Sequence, residues 1–255
     1  MHDPAKDPAS QSKVDTLIEI TIPVLDEATS LRANITHLRS YLDRELADLA
    51  PIGVVVADNG STDRTLEIAE ELAATLSHVR ALSVGERGVG RALKASWGSS
   101  AADVVGYMDL DFSTDLSYLR PALDALATGD TALVNGSRLA HGASAVGRSL
   151  VRELSSRVFN WLVKTYFGTS FTDGMCGFKF LRREFLPGIL EAGAASDGWF
   201  FATELLVAAE SCGLTIVEIP VVWTDDGNSK VKIARLSVEY LRDMRRLKRR
   251  LESRR

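Results

Sequence analysis

Two apolar runs that end abruptly in acidic residues constrain this 255-residue chain more than any other feature. The first leads into Asp58, and the second ends in Asp109 and Asp111. Because ligands of an open parallel sheet bind outside the carboxyl ends of its strands, the three carboxylates are expected to point into one crevice. Carboxylates do not bind phosphate directly, but Mg²⁺ commonly joins one or two carboxylates to substrate phosphates. The pattern therefore predicts a site for a nucleoside diphosphate carried by a divalent cation.

Strand-like and helical stretches alternate along the first half of the chain, which predicts a parallel sheet covered by helices on both faces. Strands are expected at 17–24, 52–57, 79–84, 104–108 and 132–135, with helices near 27–47, 63–76 and 88–101. Ser61 or Thr62 is expected to cap the second helix. A long helix at 145–167, a glycine-rich turn at 174–177, a helix near 199–212 and a strand at 214–223 should follow. This second half is expected to supply the acceptor side of the crevice.

Length and composition fit one compact α/β domain. We expect a disordered leader over 1–15, the folded domain over 16–230 and a basic amphipathic helix over 231–255. Cys176 and Cys212 are too few for a disulfide framework, which favours a reducing, cytoplasmic location. No apolar run approaches the roughly 20 residues of a membrane-spanning helix, and the leader lacks the apolar core of a signal peptide.

The net charge of −4 hides a strongly basic carboxyl-terminal segment. Residues 230–255 carry eleven Lys or Arg against three acidic residues, a net +8, so the remainder carries −12. An apolar stripe runs along the same segment through Leu236, Tyr240, Met244, Leu247 and Leu251. Such a helix can lie on an anionic membrane surface, or it can pack its stripe on the protein's own body. An overall pI of about 5.7 argues against a nucleic-acid partner.

A series of short motifs in order resembles family 2 glycosyltransferases of the GT-A fold, in particular the polyprenyl-phosphate (dolichyl-phosphate) mannosyl- and glucosyltransferases. The motifs are Ile-Pro-Val-Leu-Asp-Glu at 22–27, Asp-Asn-Gly-Ser-Thr-Asp at 58–63, Asp-Leu-Asp at 109–111, Gly-Ser-Arg at 136–138, Cys-Gly-Phe-Lys-Phe at 176–180, Gly-Trp-Phe-Phe-Ala-Thr-Glu-Leu-Leu at 198–206 and Glu-Ile-Pro-Val-Val-Trp at 218–223. The resemblance implies a Rossmann-like, mixed and mostly parallel sheet flanked by helices. The motifs at 176–179 and 198–200 are more similar to the glucosyl branch.

On the donor side, the resemblance implies that Pro23 and Glu27 hold the nucleoside and that Asp58 accepts a hydrogen bond from the base. The family more often has Asp-Asp-Gly at this point, so Asn59 is a departure. The turn that begins at Gly88 resembles the family's Gly-Lys-Gly turn on the donor.

Val89 replaces the lysine of that turn. Either Arg87 or Arg91 would then take over its phosphate contact, and a plain strand-to-helix turn explains these arginines equally well. A dinucleotide fingerprint is excluded because Leu93 stands where its third glycine should be.

Asp109 and Asp111 match the family's metal motif, with Asp111 as the better candidate for a direct ligand of Mg²⁺ or Mn²⁺. Acidic caps at strand ends are the alternative explanation of these carboxylates. Some relatives have Gln two residues after this motif, where this chain has Ser113, so the sequence leaves open whether there is a third protein ligand.

On the acceptor side, Arg138, Arg152 and Ser156 match the positions with which the family grips a lipid phosphate. Arginine suits this role because its planar fork binds phosphate oxygens bidentately and stays charged. For Arg148 and Arg157 a solvated helix surface is the better interpretation. An arginine that the mannosyl branch carries in the loop at 225–230 is missing here.

The implied reaction is the transfer of a hexose from UDP-glucose or GDP-mannose to a polyprenyl phosphate, with inversion of the anomeric centre. A phosphate monoester has a second pKa of about 6, so the acceptor can attack without a strong general base. Asp173 either orients this acceptor as a catalytic residue or caps a helix. The alternative function is a soluble family 2 glycosyltransferase with a small-molecule, peptide or glycan acceptor. A lipid acceptor would place the enzyme peripherally at the inner face of a membrane.

Overall fold

The structure is a computed structural model that describes residues 16–147, 149–224 and 233–253. The predicted leader over 1–15, Arg148 and the loop at 225–230 lie outside these described residues. The strands are β1 Ile18–Val24, β2 Ile52–Asp58, β3 Val79–Ser83, β4 Val104–Met108, β5 Leu133–Ser137, β6 Ser144–Val146, β7 Phe178–Arg182, β8 Ile216–Pro220 and β9 Val222–Thr224. The helices are α1 Leu31–Glu45, α2 Thr65–Thr75, α3 Val89–Gly98, α4 Leu119–Ala127, α5 Leu150–Phe167, α6 Leu186–Ala192, α7 Phe201–Ser211 and α8 Ile233–Glu252.

Seven strands form one sheet in the order β3-β2-β1-β4-β7-β5-β8, and β6 pairs with β9 in a small second sheet. All neighbours in the large sheet run parallel except β7, which is antiparallel to both β4 and β5. The chain builds β1, β2 and β3 outward in one direction and then returns to place β4 on the other side of β1. This reversal opens a crevice at the carboxyl ends of β1 and β4, and the predicted mixed, mostly parallel sheet flanked by helices is confirmed.

The two faces of the sheet carry separate apolar clusters. Side chains such as Ile20 and Ile22 of β1 pack beneath α1, α2 and α4. On the other face, Trp97, Tyr107 and Phe201 pack among α3, β4 and α7, with ring centroids about 6 Å apart. Because both faces are covered, the strands read as nearly continuous apolar runs in the sequence.

Several elements differ from the predictions. The strand β7 and the helices α4 and α6 were not predicted, since short apolar runs without clear periodicity do not identify their element. The predicted strand at 214–223 is divided into β8 and β9, which belong to different sheets. The predicted helix at 145–167 begins only at Leu150, where the Ser149 hydroxyl caps it by accepting a hydrogen bond from the Arg152 amide.

The predicted cap of the second helix is wrong. The helix α2 begins at Thr65, whose amide donates to the Asp63 carboxylate at 2.9 Å. The side chain of Ser61 and the amide of Thr62 are bonded instead to the loop residue Asp26. A tertiary contact between two loops therefore overrides the local capping preference.

The basic helix α8 lies against the second face of the protein. Met244 and Leu247 are buried, and Tyr240 packs against the rings of Phe159 and Phe200 at 5.3 and 5.6 Å. The side chain of Leu236 lies outside the described residues. The described part of the stripe thus packs on the protein's own body, which is the second of the two alternatives. No helix in the part of the chain that the structure describes is long and apolar enough to cross a bilayer.

Candidate active site

Two loops that follow β1 and β2 are locked together at the rim of the crevice. The Asp26 amide donates to the Ser61 hydroxyl at 3.0 Å, and the Asp26 carboxylate accepts from the Thr62 amide at 2.8 Å. The Glu27 amide donates to the Thr65 hydroxyl at 2.8 Å. Asp26 adopts a left-handed backbone conformation with φ of 54°, which is held by these bonds. The result is a fixed rim on the donor side.

Three of the predicted donor residues lie along this rim. Asp58 is buried, and its carboxylate accepts hydrogen bonds from the Gly60 and Ser61 amides at 3.2 and 3.3 Å. Pro23, near the end of β1, lies beside β2 in the parallel register. Glu27 accepts a hydrogen bond from the Ser30 hydroxyl at 2.7 Å. The structure therefore brings Pro23, Glu27 and Asp58 together at the carboxyl ends of neighbouring strands.

Gly88 lies at the same end of the sheet, but other protein atoms already bind its amide and fill the space beside its Cα. Its amide donates to the Asn59 side-chain oxygen at 3.2 Å, so the departure at Asn59 anchors this turn. A Cβ added to Gly88 would overlap the backbone at Asp197, and a Cβ added to Gly90 would lie 2.6 Å from the Cβ of Phe201. Both glycines thus allow the turn to pack closely against the segment that leads into α7.

The arginines of this turn are placed differently from one another. Arg91 forms ion pairs with Glu86 and with Asp197, the latter at 2.9 Å. Lys94 adds a second cation to Asp197 at 2.8 Å. Arg87 is exposed. The charge of Arg91 is therefore shared by two carboxylates, and Arg87 is the one of the two candidates that faces solvent.

The acidic pair follows β4 directly. Asp109 is half-buried, whereas Asp111 is exposed and accepts a hydrogen bond from the Ser113 amide at 2.9 Å. Between them, the Leu110 carbonyl accepts from the side-chain amide of Asn34 at 3.1 Å. Burial, and then the negative charge of Asp111, raise the pKa of Asp109 to about 7. The two carboxylates are thus close enough to repel each other.

This carboxylate pair fits a divalent cation. Gly177 packs directly on Asp109, since an added Cβ would lie 2.6 Å from Oδ1 and closer still to Oδ2. Because glycine has no Cβ, the Asp109 carboxylate can occupy the space beside the Cα of Gly177. Among the described residues, no cluster of three or more His, Cys, Asp and Glu side chains could hold a metal by itself. Two carboxylates without a third ligand suit Mg²⁺, which shares its coordination with water and substrate phosphates.

Arg138 and Asp173 form a buried ion pair beside the acidic pair. The Arg138 Nε and Nη2 atoms donate to the two carboxylate oxygens of Asp173 at 2.6 and 3.0 Å. The side chains are 9% and 0% exposed. Burial alone would raise the pKa of Asp173, but the charge and hydrogen bonds of Arg138 outweigh it and hold this pKa well below its usual range. The Arg138 guanidinium also lies over the Trp223 ring, 5.5 Å from its centroid.

Asp173 does not cap a helix, because it lies in the loop before β7 and its remaining bonds are to the Met175 and Arg138 amides. The helix-cap alternative is therefore wrong. Both carboxylate oxygens are already used as acceptors. In this geometry, Asp173 holds the Arg138 guanidinium in place.

A fully buried lysine beneath this pair was not predicted. Lys179 of β7 lies between Tyr107 of β4 and Asn135 of β5 in the sheet register. Its ammonium donates to the Cys176 carbonyl at 2.6 Å, and burial lowers its pKa to about 8. Its charge also lowers the pKa of Asp109. The signal in the sequence was a lysine inside the apolar run Phe-Lys-Phe-Leu, which a solvent-facing strand position explains equally well.

Glu218 of β8 holds the acceptor-side loop in place through hydrogen bonds, and its role was not predicted from the sequence either. Its carboxylate accepts from the Thr172 amide and hydroxyl, both at 2.8 Å, and from the Asn135 side-chain amide at 2.9 Å. The same Asn135 amide donates to the Asp173 carbonyl at 2.9 Å. A carboxylate in an otherwise apolar strand was the available signal.

The helix α5 is tied to the same loop. The Asn160 side chain accepts from the Gly174 amide at 2.8 Å and donates to the Ser156 carbonyl at 3.0 Å. The Ser156 hydroxyl is buried and has no hydrogen-bond partner among the described residues. Arg152 lies one turn before it on the same face. Asn160 therefore ties the Ser156 turn of α5 to the loop that holds Asp173, while Arg157 is exposed and pairs with Glu153.

The sequence profile described as "Glycosyl transferase family 2" matches residues 19–190. The glycosyltransferase AglD of Haloferax volcanii is 30% identical over 233 residues, which cover 89% of this chain and 36% of AglD. The chain thus spans about a third of the length of that relative. The dolichyl-phosphate beta-glucosyltransferase of Saccharomyces cerevisiae is 24% identical over 252 residues, which cover 92% of this chain and 75% of the yeast protein.

Solved structures share the fold. Glucosyl-3-phosphoglycerate synthase from Mycobacterium tuberculosis, in complex with UDP, superimposes with a TM-score of 0.68 and 21% identity. The superposition covers 99% of this chain and 87% of that protein. The shared architecture therefore extends through the second half of the chain.

Proposed function

This chain belongs to glycosyl transferase family 2, and from that premise we propose that it transfers a hexose from a nucleoside diphosphate sugar to a polyprenyl phosphate. The observation that carries the proposal is the placement of a buried guanidinium beside an acidic pair. Arg138 is close enough to lower the pKa of Asp109, although Asp173 holds it in a separate bonded position. The same crevice thus contains two carboxylates suited to a divalent metal ion and one fixed guanidinium suited to a phosphate.

We propose that Asp109 and Asp111 hold Mg²⁺ or Mn²⁺. When bound, such an ion would neutralise charge on the departing diphosphate. The Mycobacterium tuberculosis relative has been solved with UDP and either Mn²⁺ or Mg²⁺, which supports this choice of metal. In this chain, burial and then the neighbouring charge of Asp111 raise the pKa of Asp109, and a bound cation would offset both effects by stabilising the ionised carboxylate.

The donor's nucleoside is proposed to lie along the rim formed by Pro23, Glu27 and Asp58. This rim is rigid because its two loops share hydrogen bonds, so the nucleoside would be bound without much reordering of the protein. Gly88 would act on the donor side indirectly, because its amide is bonded to Asn59 and the Asp197 carbonyl fills the space where a Cβ would lie. Its contribution would be to hold the turn at this end of the sheet.

The acceptor phosphate is proposed to bind to Arg138, Arg152 and Ser156. A phosphate oxygen then attacks the anomeric carbon, the bond from that carbon to the diphosphate oxygen breaks, and the nucleoside diphosphate departs. One in-line displacement inverts the anomeric centre. Asp173 stays ionised and orients Arg138, so that alignment and charge neutralisation account for the rate. The name of the yeast relative supports both a glucosyl donor and a dolichyl-phosphate acceptor.

A donor and acceptor screen tests this proposal. The purified protein is incubated with UDP-glucose or GDP-mannose and with polyprenyl phosphate, unphosphorylated polyprenol or phosphoglycerate, and both the released nucleoside diphosphate and the glycosylated product are measured. We expect product with one donor and polyprenyl phosphate, and none with the matched polyprenol. Excess chelator, or Asp111→Asn, should lower turnover by several orders of magnitude.

Two results would contradict it. Product with phosphoglycerate or another soluble acceptor, but not with polyprenyl phosphate, would favour the soluble glycosyltransferase alternative. Full turnover in excess chelator would remove Asp109 and Asp111 from a metal site.

A further inference from the structure

The short strand β9 lies between β6 and the segment that follows the acidic pair. On one side, Trp223 pairs with Ala145 of β6 in the parallel register. On the other side, Trp223 forms an antiparallel bridge with Thr114, and the Thr224 amide donates to the Ser113 carbonyl at 2.8 Å. Because β9 is bonded on both sides, the backbone at Trp223 is fixed relative to both neighbours.

The second of these neighbours continues directly from the proposed metal ligands. The Ser113 amide donates to the Asp111 carboxylate at 2.9 Å, while the Ser113 carbonyl accepts from Thr224. Ser113 and Thr114 are both buried. A hydrogen-bonded path therefore runs from the acidic pair to the backbone that carries the Trp223 side chain.

The side chain of Trp223 contacts the acceptor side of the crevice. Its ring centroid lies 5.5 Å from the Arg138 guanidinium carbon, within the distance at which a guanidinium and an aromatic ring attract each other. Asp173 binds Nε and Nη2 of Arg138, and no hydrogen bond among the described residues uses Nη1. Two bonds along one edge fix that edge but leave the guanidinium plane free to tilt about it. The contact with the Trp223 ring limits this tilt.

We propose that Trp223 is a positioning residue for the acceptor phosphate, because its ring holds the Arg138 guanidinium at the tilt that presents Nη1 to a phosphate oxygen. The inference rests on the proposed function, in which Arg138 binds that phosphate. The planar fork of arginine binds phosphate strongly only when it is aligned with the phosphate oxygens, so a guanidinium that tilts freely binds more weakly. The donor and the metal ion bind to other residues, so their affinities do not depend on the ring.

Steady-state kinetics of Trp223→Leu and Trp223→Phe test the inference. Leucine is apolar but has no aromatic face, whereas phenylalanine keeps one. The assay contains Mn²⁺, a short-chain, water-soluble prenyl phosphate, and whichever of UDP-glucose and GDP-mannose gives product. For Trp223→Leu we expect the KM for the prenyl phosphate to rise about three- to thirtyfold, with the KM for the donor and the response to Mn²⁺ changed by less than about twofold. Trp223→Phe should recover most of the loss.

Val222→Ala is the matched control. Val222 precedes Trp223 in β9, is 42% exposed, and points to the opposite face of the strand. Its amide keeps the hydrogen bond to the Tyr118 hydroxyl at 3.0 Å in the variant, so the KM for the prenyl phosphate should not change. Thermal melting followed by circular dichroism shows whether each variant is folded at the assay temperature.

Two kinetic results would overturn the inference. An unchanged KM for the prenyl phosphate in folded Trp223→Leu would mean that the ring does not position Arg138. A rise in the KM for the donor as large as the rise for the acceptor would mean that Trp223 supports the crevice as a whole.

Fluorinated tryptophan changes the electrostatics of the ring without removing it, and it applies even if Trp223→Leu does not fold. The protein is produced with 5-fluorotryptophan at all four of its tryptophan positions. Because fluorine withdraws negative charge from the ring face, the KM for the prenyl phosphate should rise about two- to fourfold. The same labelling of Trp223→Phe should cause no rise. An equal rise in both proteins, or no rise in either, would overturn the inference.

The outcomes separate this inference from the proposed function. If the unchanged protein glycosylates no phosphate-bearing acceptor, both fail. If it glycosylates phosphoglycerate and not the prenyl phosphate, the polyprenyl part of the proposed function fails, and a rise in the KM for phosphoglycerate in Trp223→Leu still supports the role of the ring. If the unchanged protein and the Trp223 variants use the prenyl phosphate with the same KM, the proposed function stands and only the inference fails.

Discussion

Gly177→Ala should lower the catalytic rate of this protein strongly while changing its folding stability little. The added Cβ would lie 2.6 Å from Asp109 Oδ1 and closer to Cγ and Oδ2, whereas real Cβ contacts stay beyond 3.0 Å. The carboxylate must therefore move by on the order of 1 Å, which a side chain at the rim of a crevice can do without disturbing the close-packed interior. The free energy of unfolding should change by no more than about 1 kcal/mol, since the restriction of the unfolded chain offsets part of the strain.

Activity should respond much more strongly. A displacement of this size at a reacting centre costs roughly a hundredfold in rate, and the Mn²⁺ concentration for half-maximal activity should rise at least about tenfold, because one carboxylate has left its place. The assay is nucleoside diphosphate release against Mn²⁺ concentration, paired with thermal melting followed by circular dichroism.

Two glycines serve as controls. A Cβ added at Gly98 meets nothing within 4 Å, so Gly98→Ala should leave the Mn²⁺ response unchanged and raise the free energy of unfolding by about 0.4–1 kcal/mol. Gly106→Ala places its Cβ 2.6 Å from Cγ of the Phe180 ring, so it should lose about 1–3 kcal/mol of stability and keep its Mn²⁺ response. If Gly177→Ala does not fold, Asp109→Asn tests the same carboxylate without added volume. A variant that folds and shows unchanged turnover and Mn²⁺ response would refute the assignment of Asp109.

Three further predictions follow from burial. Asp173→Asn should cost about 3–5 kcal/mol in chemical denaturation, because it leaves the Arg138 charge buried without its partner. Because the pKa of Lys179 is about 8 in the fold and 10.5 when unperturbed, the unfolded chain binds more protons between these values. Stability relative to Lys179→Met should therefore rise by about 3 kcal/mol from pH 8 to pH 10.5, and a flat difference would contradict this. Leu247→Ala should cost about 2–5 kcal/mol, whereas Leu241→Ala, at a site 47% exposed, should cost less than about 0.5 kcal/mol; equal costs would mean that α8 does not pack on the body as described.

The position of the crevice could be predicted from the sequence because its cause is local. A strand that is buried on both faces must read as an apolar run, and the first polar residues after it must lie at its end. Asp58, Asp109 and Asp111 could therefore be assigned to one edge of the sheet from the order of residues alone. The order of the motifs supplied the family, and through it the fold class, which the structure bears out.

The sequence could not supply the partners of those residues. Arg138 and Asp173 are 35 residues apart, and the ion pair between them exists only because β7 inserts antiparallel between β4 and β5. From the sequence, Lys179 of β7 is only a charged residue within an apolar run. The sheet brings it close enough to Asp109 to lower the pKa of that carboxyl. For the same reason, nothing in the sequence distinguishes Gly177 from an ordinary turn glycine. Only the folded structure shows that it packs against the Asp109 carboxylate.

The amphipathic helices show the same division between local pattern and tertiary structure. The period of apolar residues in α8 predicted an amphipathic helix, but a stripe has the same spacing whether it meets lipid or protein. The fold decided that Leu247 is buried and that the apolar surface left exposed belongs to α5. Sequence determines which side chains share a face, because that depends on local backbone geometry, whereas what the face contacts depends on elements distant in the chain, and only the folded structure brings those elements together.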